Sequence, residues 1–239
     1  MTERSSDSRL SAVEDNIKRI NENIAKAKQK AGRTDEVRLM GVTKTVDPEI
    51  VSFSVKNGVR LLGENRVQEF LDKRERYEGD PEIHFIGGLQ TNKVKYIIDK
   101  VKMIHSADSE KLMREIDRRA QNAGLTMDIL IEINIGGEES KSGAMPETLD
   151  ELAGLAEELK NVRLRGLMAI PPVNVNGSSE KYFAAMQRLF NDLKDKNRGG
   201  RAVIDTLSMG MSGDYETAIL YGSTIVRIGS VLYGYRNYN

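Results

Sequence analysis

From Leu10 to Ala31 the apolar residues Leu10, Val13, Ile17, Ile20 and Ile24 recur every three or four positions, with polar side chains between them. That period predicts an amphipathic helix, and Gly32 supplies its C-cap. Beyond it the pattern changes to short apolar runs: Val37–Thr43, Val59–Leu62, Glu82–Ile86, Val101–His105, Met127–Ile133, Val162–Met168, Ala202–Ser208 and Thr224–Ile228. Helix-compatible segments separate them, among them Ser109–Ala123, Pro146–Lys160 and Ser179–Lys194. Each crossover is long enough for a parallel connection, and no hairpin signal intervenes. Strand–helix alternation predicts an α/β fold, and eight strands predict closure into a single (β/α)8 barrel behind an extra N-terminal helix. The 239 residues suit one barrel with short loops. We therefore expect one domain over 1–239, with residues 1–9 flexible. The stretch 171–179 (PPVNVNGSS) reads as a longer, mobile βα loop rather than a linker.

Composition narrows the function. Lysine plus arginine and aspartate plus glutamate both number 36, and the local cluster RGGR at 198–201 does not extend into a stripe. Nucleic-acid binding is thereby disfavoured, since it leans on an excess of positive charge. The absence of cysteine removes thiolate chemistry and cysteine-ligated metals. Two histidines and no HExxH leave no multi-histidine metal site. No apolar run reaches 18 residues, and the start MTERSSDSRL lacks a secretory apolar segment. A cytoplasmic protein without a membrane span is expected.

Active sites of β/α barrels lie at the C-terminal strand ends, so those ends carry the candidates. Lys44 closes the first run, between Thr43 and Thr45. Enclosed by barrel residues, its amine would be desolvated and suited to attack a carbonyl; the plain alternative is a solvated loop lysine. The seventh run opens into LSMGMSGD (207–214) and the eighth into RIGS (227–230). Gly210, Gly213 and Gly229 would let backbone N–H groups approach a phosphate, with hydroxyls from Ser208, Ser212 and Ser230. Glycine-rich turns without a ligand fit the same pattern. Asn65 could face the barrel mouth or cap the helix from Arg66, and His84 could do the former or pack within the sheet. Glu132 and Asn134 share one strand face. Lys141-Ser142 could form a basic lip over an anion or a plain surface loop. Met209 is a packing residue that could also touch a planar ring.

The ordered motifs VTKT (42–45), GEN (63–65), HFIGGLQTNK (84–93), SKSG (140–143), LRGLMAIP (164–171), LSMGMSGD (207–214) and GSTIVRIGSVLYG (222–234) together resemble the pyridoxal 5′-phosphate homeostasis protein family. The likeness runs from about residue 10 to the C-terminus. It implies an alanine-racemase-like barrel carrying pyridoxal 5′-phosphate as a Schiff base on the lysine that matches Lys44. It further implies phosphate contacts around Ser208, Met209, Gly210, Gly229 and Ser230, and an arginine near the pyridine nitrogen at Arg227. Asn65 and His84 match the family's GEN and HFIG motifs. Gly88 stands where the family often has proline, and GYRNY replaces a simpler ending.

The resemblance implies binding and regulated supply or buffering of vitamin B6 cofactor; a monomer is expected, with apo pyridoxal-dependent enzymes as candidate partners. The resemblance does not by itself imply a turnover reaction. The competing expectation is an amino-acid racemase, which needs a proton carrier on each side of the α-carbon. The chain stops near the barrel's end, without the β domain that supplies the opposing tyrosine in alanine racemases. Tyr221, Tyr233, Tyr235 and Tyr238 keep an internal substitute open.

Overall fold

Each apolar run carries a strand: β1 (Arg38–Val42), β2 (Leu61–Glu64), β3 (Glu82–Phe85), β4 (Met103–Ala107), β5 (Met127–Ile133), β6 (Val162–Ala169), β7 (Thr206–Ser208) and β8 (Ile225–Ile228). Neighbours in sequence pair in parallel, and β8 pairs back onto β1 to close the barrel. This computed structural model describes residues 3–138, 141–172, 179–196 and 200–234, with side chains from Ser8 onward. Ser140, the loop 173–178, Arg198 and the GYRNY residues 235–238 lie outside the described residues.

The helices follow the crossovers: α1 (Glu3–Lys30), α2 (Pro48–Lys56), α3 (Val67–Lys73), α4 (Glu110–Asn122), α5 (Leu149–Glu158), α6 (Glu180–Lys196), α7 (Tyr215–Leu220) and α8 (Ser230–Tyr233). The β3–β4 crossover contains only a 3-10 turn, Thr91–Tyr96. Helix α1 reaches back to Glu3, seven residues before the periodic apolar run begins. Its stripe Val13, Ile17, Ile20, Ile24 and Ala27 is buried with residues of α2, α7 and α8, as a one-faced helix must be to be held by packing. Asn16 Nδ2 also donates to Leu232 O at 3.1 Å, tying α1 to α8.

Two apolar runs overshoot their strands for identifiable reasons. Val59 is buried in the cluster with α1 and α2, and its N–H donates to Ser54 O at the end of α2, so its apolarity serves the helix layer. Ala202 to Asp205 hydrogen-bond to Glu157, Leu164 O and Arg165 O before the ladder with β6 begins at Thr206. Inside the barrel, Met40, Val42, Leu61, Ile86 and Ile225 form one cluster and Met103, Leu130 and Met168 another. These are alternate strand positions, as inward-facing barrel residues are. At the strand N-termini the barrel closes with ion pairs: Arg38–Glu82 at 2.8 Å, Arg165–Asp128 at 2.7 Å and Arg165–Asp205 at 2.5 Å. Among the described residues no helix is long and apolar enough to cross a membrane.

Candidate functional site

The C-terminal strand ends surround a cavity of about 390 Å³ lined by Val42, Lys44, Asn65, Ile86, Ile170, Met211, Ser212, Gly213, Arg227, Gly229 and Ser230. Seven groups expected from the sequence meet here: Lys44, Asn65, Ser212, Gly213, Arg227, Gly229 and Ser230. Another depression of about 450 Å³, lined by Asp150, Leu164, Leu193 and Lys196 among others, contains none of them.

Lys44 is placed by a clamped loop. Thr43 N–H donates to Gly63 O at 3.2 Å, and Thr43 Oγ1 donates to the buried Glu64 carboxylate at 2.7 Å. Tyr77 donates to the same Glu64 oxygen at 2.7 Å. Burial raises the Glu64 pKa and also raises that of Tyr77. On the other side, Glu69 accepts the Thr45 N–H, while Lys73 Nζ donates to Val46 O at 2.8 Å. Thr45 has φ 60°, an unusual conformation for a β-branched residue. Lys44 itself is half-buried and makes no hydrogen bond or ion pair with a described residue. It lines the cavity.

Asn65 is held by a close backbone approach. A Cβ on Gly87 would stand 2.0 Å from Asn65 O, so this position excludes any side chain. Asn65 Oδ1 is buried without a hydrogen-bond partner. A buried polar atom left unpaired is costly, and at a cavity wall it marks a place for a ligand donor.

Arg227 is buried, and its hydrogen bonds run to neutral oxygens: Nη1 to Ser208 Oγ at 2.8 Å and Nη2 to Ala169 O at 2.9 Å. Burial lowers its pKa to about 10, which still leaves it cationic at neutral pH. The cation is thus presented to the cavity without a paired carboxylate among the described residues. Beside it, Ser212 Oγ accepts the N–H groups of Gly229 and Val231 at 3.3 and 3.4 Å. Gly229 and Ser230, at the start of α8, line the cavity together with Ser212. Ser212 and Gly213 line the cavity although the family likeness points two to four residues earlier; their signal was the hydroxyl and glycine in LSMGMSGD.

Four expected residues do not line this cavity. Met209 is fully buried and belongs to the core cluster outside the barrel. Gly210 has φ 86°, a Cβ there would lie 2.5 Å from Ala218 Cβ, and its carbonyl accepts Arg227 N–H at 3.0 Å. Ser208 and His84 sit deeper in the barrel. His105 Nδ1 is 3.1 Å from Ser208 Oγ, His105 Nε2 is 2.9 Å from His84 Nδ1, and His84 Nε2 is 2.6 Å from Glu82 Oε1. His84 is therefore packed and bonded within the sheet. Glu132 accepts Ser142 Oγ–H at 2.8 Å, and Asn134 bonds its own loop at Glu138. Lys141 pairs with Glu138 at 2.5 Å and donates to Pro171 O at 3.3 Å, so it is tied down rather than projecting as a lip.

Burial lowers the pKa of His84 and lowers that of His105 well below the ordinary value of 6.5. A depressed folded-state pKa gives stability that is present above the unfolded value and lost as pH falls below it. Wild-type stability should accordingly decline as pH falls below about 6.5, the ordinary histidine value, with His105 contributing to the slope. Urea unfolding on either side of that pH, repeated on His105→Gln, checks this: the variant should lose that part of the slope.

The geometry agrees with comparison to known proteins. Residues 16–237 match the family model described as alanine racemase, N-terminal domain. A pyridoxal phosphate homeostasis protein of Aquifex aeolicus is 47% identical over 225 residues, spanning 93% of this chain and 97% of that one. A crystal structure of an unknown protein from Bifidobacterium adolescentis superposes with a TM-score of 0.88 at 35% identity, covering 95% of this chain and 96% of that one. PipY of Synechococcus elongatus PCC7942, solved with PLP bound, gives a TM-score of 0.76 at 28% identity, covering 88% of this chain and all (100%) of that one. An eight-stranded parallel barrel, 47% identity over nearly the full length and the family-model match converge: the chain belongs to the pyridoxal phosphate homeostasis protein family, within the alanine racemase N-terminal domain fold.

Proposed function

We propose that the protein binds pyridoxal 5′-phosphate as a Schiff base on Lys44 and serves vitamin B6 cofactor homeostasis. The observation that carries the reading is the Lys44 amine, without a partner among the described residues, in a cavity shared with the buried cation Arg227 and with Ser212, Gly213, Gly229 and Ser230. The cofactor supplies an aldehyde for the amine, a phosphate for the anion-binding end and a pyridine ring between them. Lys44 would hold the aldehyde carbon. Gly229, Ser230, Ser212 and Gly213 would take the phosphate, with Ser208 and Gly210 one layer further in. Asn65 Oδ1 is an acceptor for a ligand hydroxyl.

Arg227 fits beside the pyridine nitrogen. A guanidinium there disfavours a second positive charge, keeps the ring nitrogen unprotonated and weakens its ability to absorb carbanion electrons. That favours holding the cofactor over amino-acid turnover. Ile170, 37% exposed, stands at the cavity rim, leaving an opening through which cofactor can exchange with solution or with apo enzymes. Delivery to apo pyridoxal-dependent enzymes by a cytoplasmic monomer is the remaining part of this reading.

The phosphate contacts give the reading its test. Pyridoxal, which lacks the phosphate, should bind at least about a hundredfold more weakly than pyridoxal 5′-phosphate, from the loss of several charge-assisted hydrogen bonds. Ser230→Ala should narrow that gap. Equal affinity for the two ligands, measured by equilibrium titration of the visible absorption, would reject a phosphate-anchored site.

A further inference from the structure

The barrel interior contains a continuous file of hydrogen-bonding side chains linking the cavity to the opposite mouth. It begins at Arg227, passes through Ser208, His105 and His84, and ends on Glu82. Ser208, His105 and His84 are each 0% exposed. Glu82 starts β3 and lines the depression at the strand N-termini, where Arg38 pairs with it at 2.8 Å.

The two ends fix the direction of every bond between them. Arginine has only donors, so Ser208 Oγ must accept from Arg227 Nη1. An ionised carboxylate only accepts, so His84 must carry its proton on Nε2, toward Glu82. A neutral His84 then has a bare Nδ1, which accepts from His105 Nε2–H. That leaves His105 Nδ1 bare to accept the Ser208 hydroxyl proton. Each group between the ends gives one hydrogen bond and takes one, with no orphaned donor. A proton added to His84 would reverse the inner bonds and leave the buried Ser208 hydroxyl hydrogen without its acceptor. The charged groups around this file are Arg227 above, and Arg38 and Asp128 below.

We propose that Ser208, His105 and His84 are positioning residues, a one-way hydrogen-bond chain that locks Arg227 in its cavity-facing pose by anchoring it to Glu82 at the far end of the barrel. The consequence rests on the cofactor reading above: a charge removed at Glu82, away from the cavity, is felt where the cofactor ring would lie. Glu82 is suited to the role, because the hydrogen bond from His84 holds its pKa down to about 2. The direction of the chain therefore holds throughout the neutral range.

Imidazole nitrogen NMR of the cofactor-free protein reads the chain directly. Both histidines should be neutral, protonated on Nε2 and bare on Nδ1, at neutral pH. An Nδ1 proton or an imidazolium on either would overturn the proposal. Glu82→Gln, a partly exposed change that keeps an acceptor but removes the charge, should mix the two tautomers. In the loaded protein it should raise the release rate of pyridoxal 5′-phosphate about tenfold, as expected for replacing a charge-assisted bond by a neutral one. Glu36→Gln, in the same depression but outside the chain, should stay within about twofold of wild type. Unchanged tautomers and release in Glu82→Gln would reject the anchoring role. Failure of the wild type to take up pyridoxal 5′-phosphate would instead reject the cofactor reading, while the imidazole signals still decide the chain.

Discussion

Lys44→Ala should abolish the visible imine absorption of the pyridoxal 5′-phosphate-loaded protein and weaken binding at least about a hundredfold, or ~3 kcal/mol. The same variant should unfold within about 0.5 kcal/mol of wild type. The two outcomes separate because the loop does not depend on the amine. Thr43 is held by Gly63 O and Glu64, Thr45 N–H by Glu69, and Val46 O by Lys73. Lys44 contributes no hydrogen bond or ion pair to a described residue, so its loss leaves nothing buried and unpaired in the free protein. Visible absorption and fluorescence titration measure binding; denaturant unfolding measures stability. A substantial loss of stability together with retained imine absorption would reverse both halves of the expectation.

Gly87→Ala should destabilise the protein by about 1–3 kcal/mol and reduce cofactor affinity at the same time. The added methyl would have to stand 2.0 Å from Asn65 O, against backbone that cannot swing aside as a flexible side chain could. The shift falls on Asn65, which lines the cavity and whose buried Oδ1 has no partner among the described residues. Gly88 is the internal control. A Cβ there meets nothing within 4 Å, so Gly88→Ala should cost less than about 0.5 kcal/mol. Unfolding curves of the two variants, with affinity measured alongside, decide the contrast.

Much of the barrel was legible because inward and outward strand positions repeat with period two and the helices with period 3.6. Met127–Ile133 matches β5 from end to end, and all seven of its residues are buried. Boundaries slipped where apolarity had another cause, as at Val59 against α1 and α2. The β3–β4 crossover looked helix-compatible, but Thr91–Tyr96 winds as a 3-10 turn. In the site, strand-end position was enough for Lys44, Asn65 and Arg227.

It was not enough for Ser208 and His84, because residue type does not say how deep along the barrel axis a side chain stops. Ser208 ends β7 yet points to His105 and Arg227, while Ser212, four residues later, reaches the cavity. The His84–His105 contact had a readable signal: each histidine follows its strand's start by two residues, on adjacent parallel strands. Only the barrel register showed that this places the rings within hydrogen-bonding distance.

Borohydride reduction of the loaded protein, followed by digestion and mass mapping, tests the central claim most directly. Reduction turns the exchangeable imine into a stable secondary amine and so records which lysine held the cofactor. The site geometry predicts a single phosphopyridoxyl mass on the peptide containing Val42-Thr43-Lys44-Thr45. A modification confined to any other lysine, or no modification in a protein saturated with pyridoxal 5′-phosphate, would contradict it.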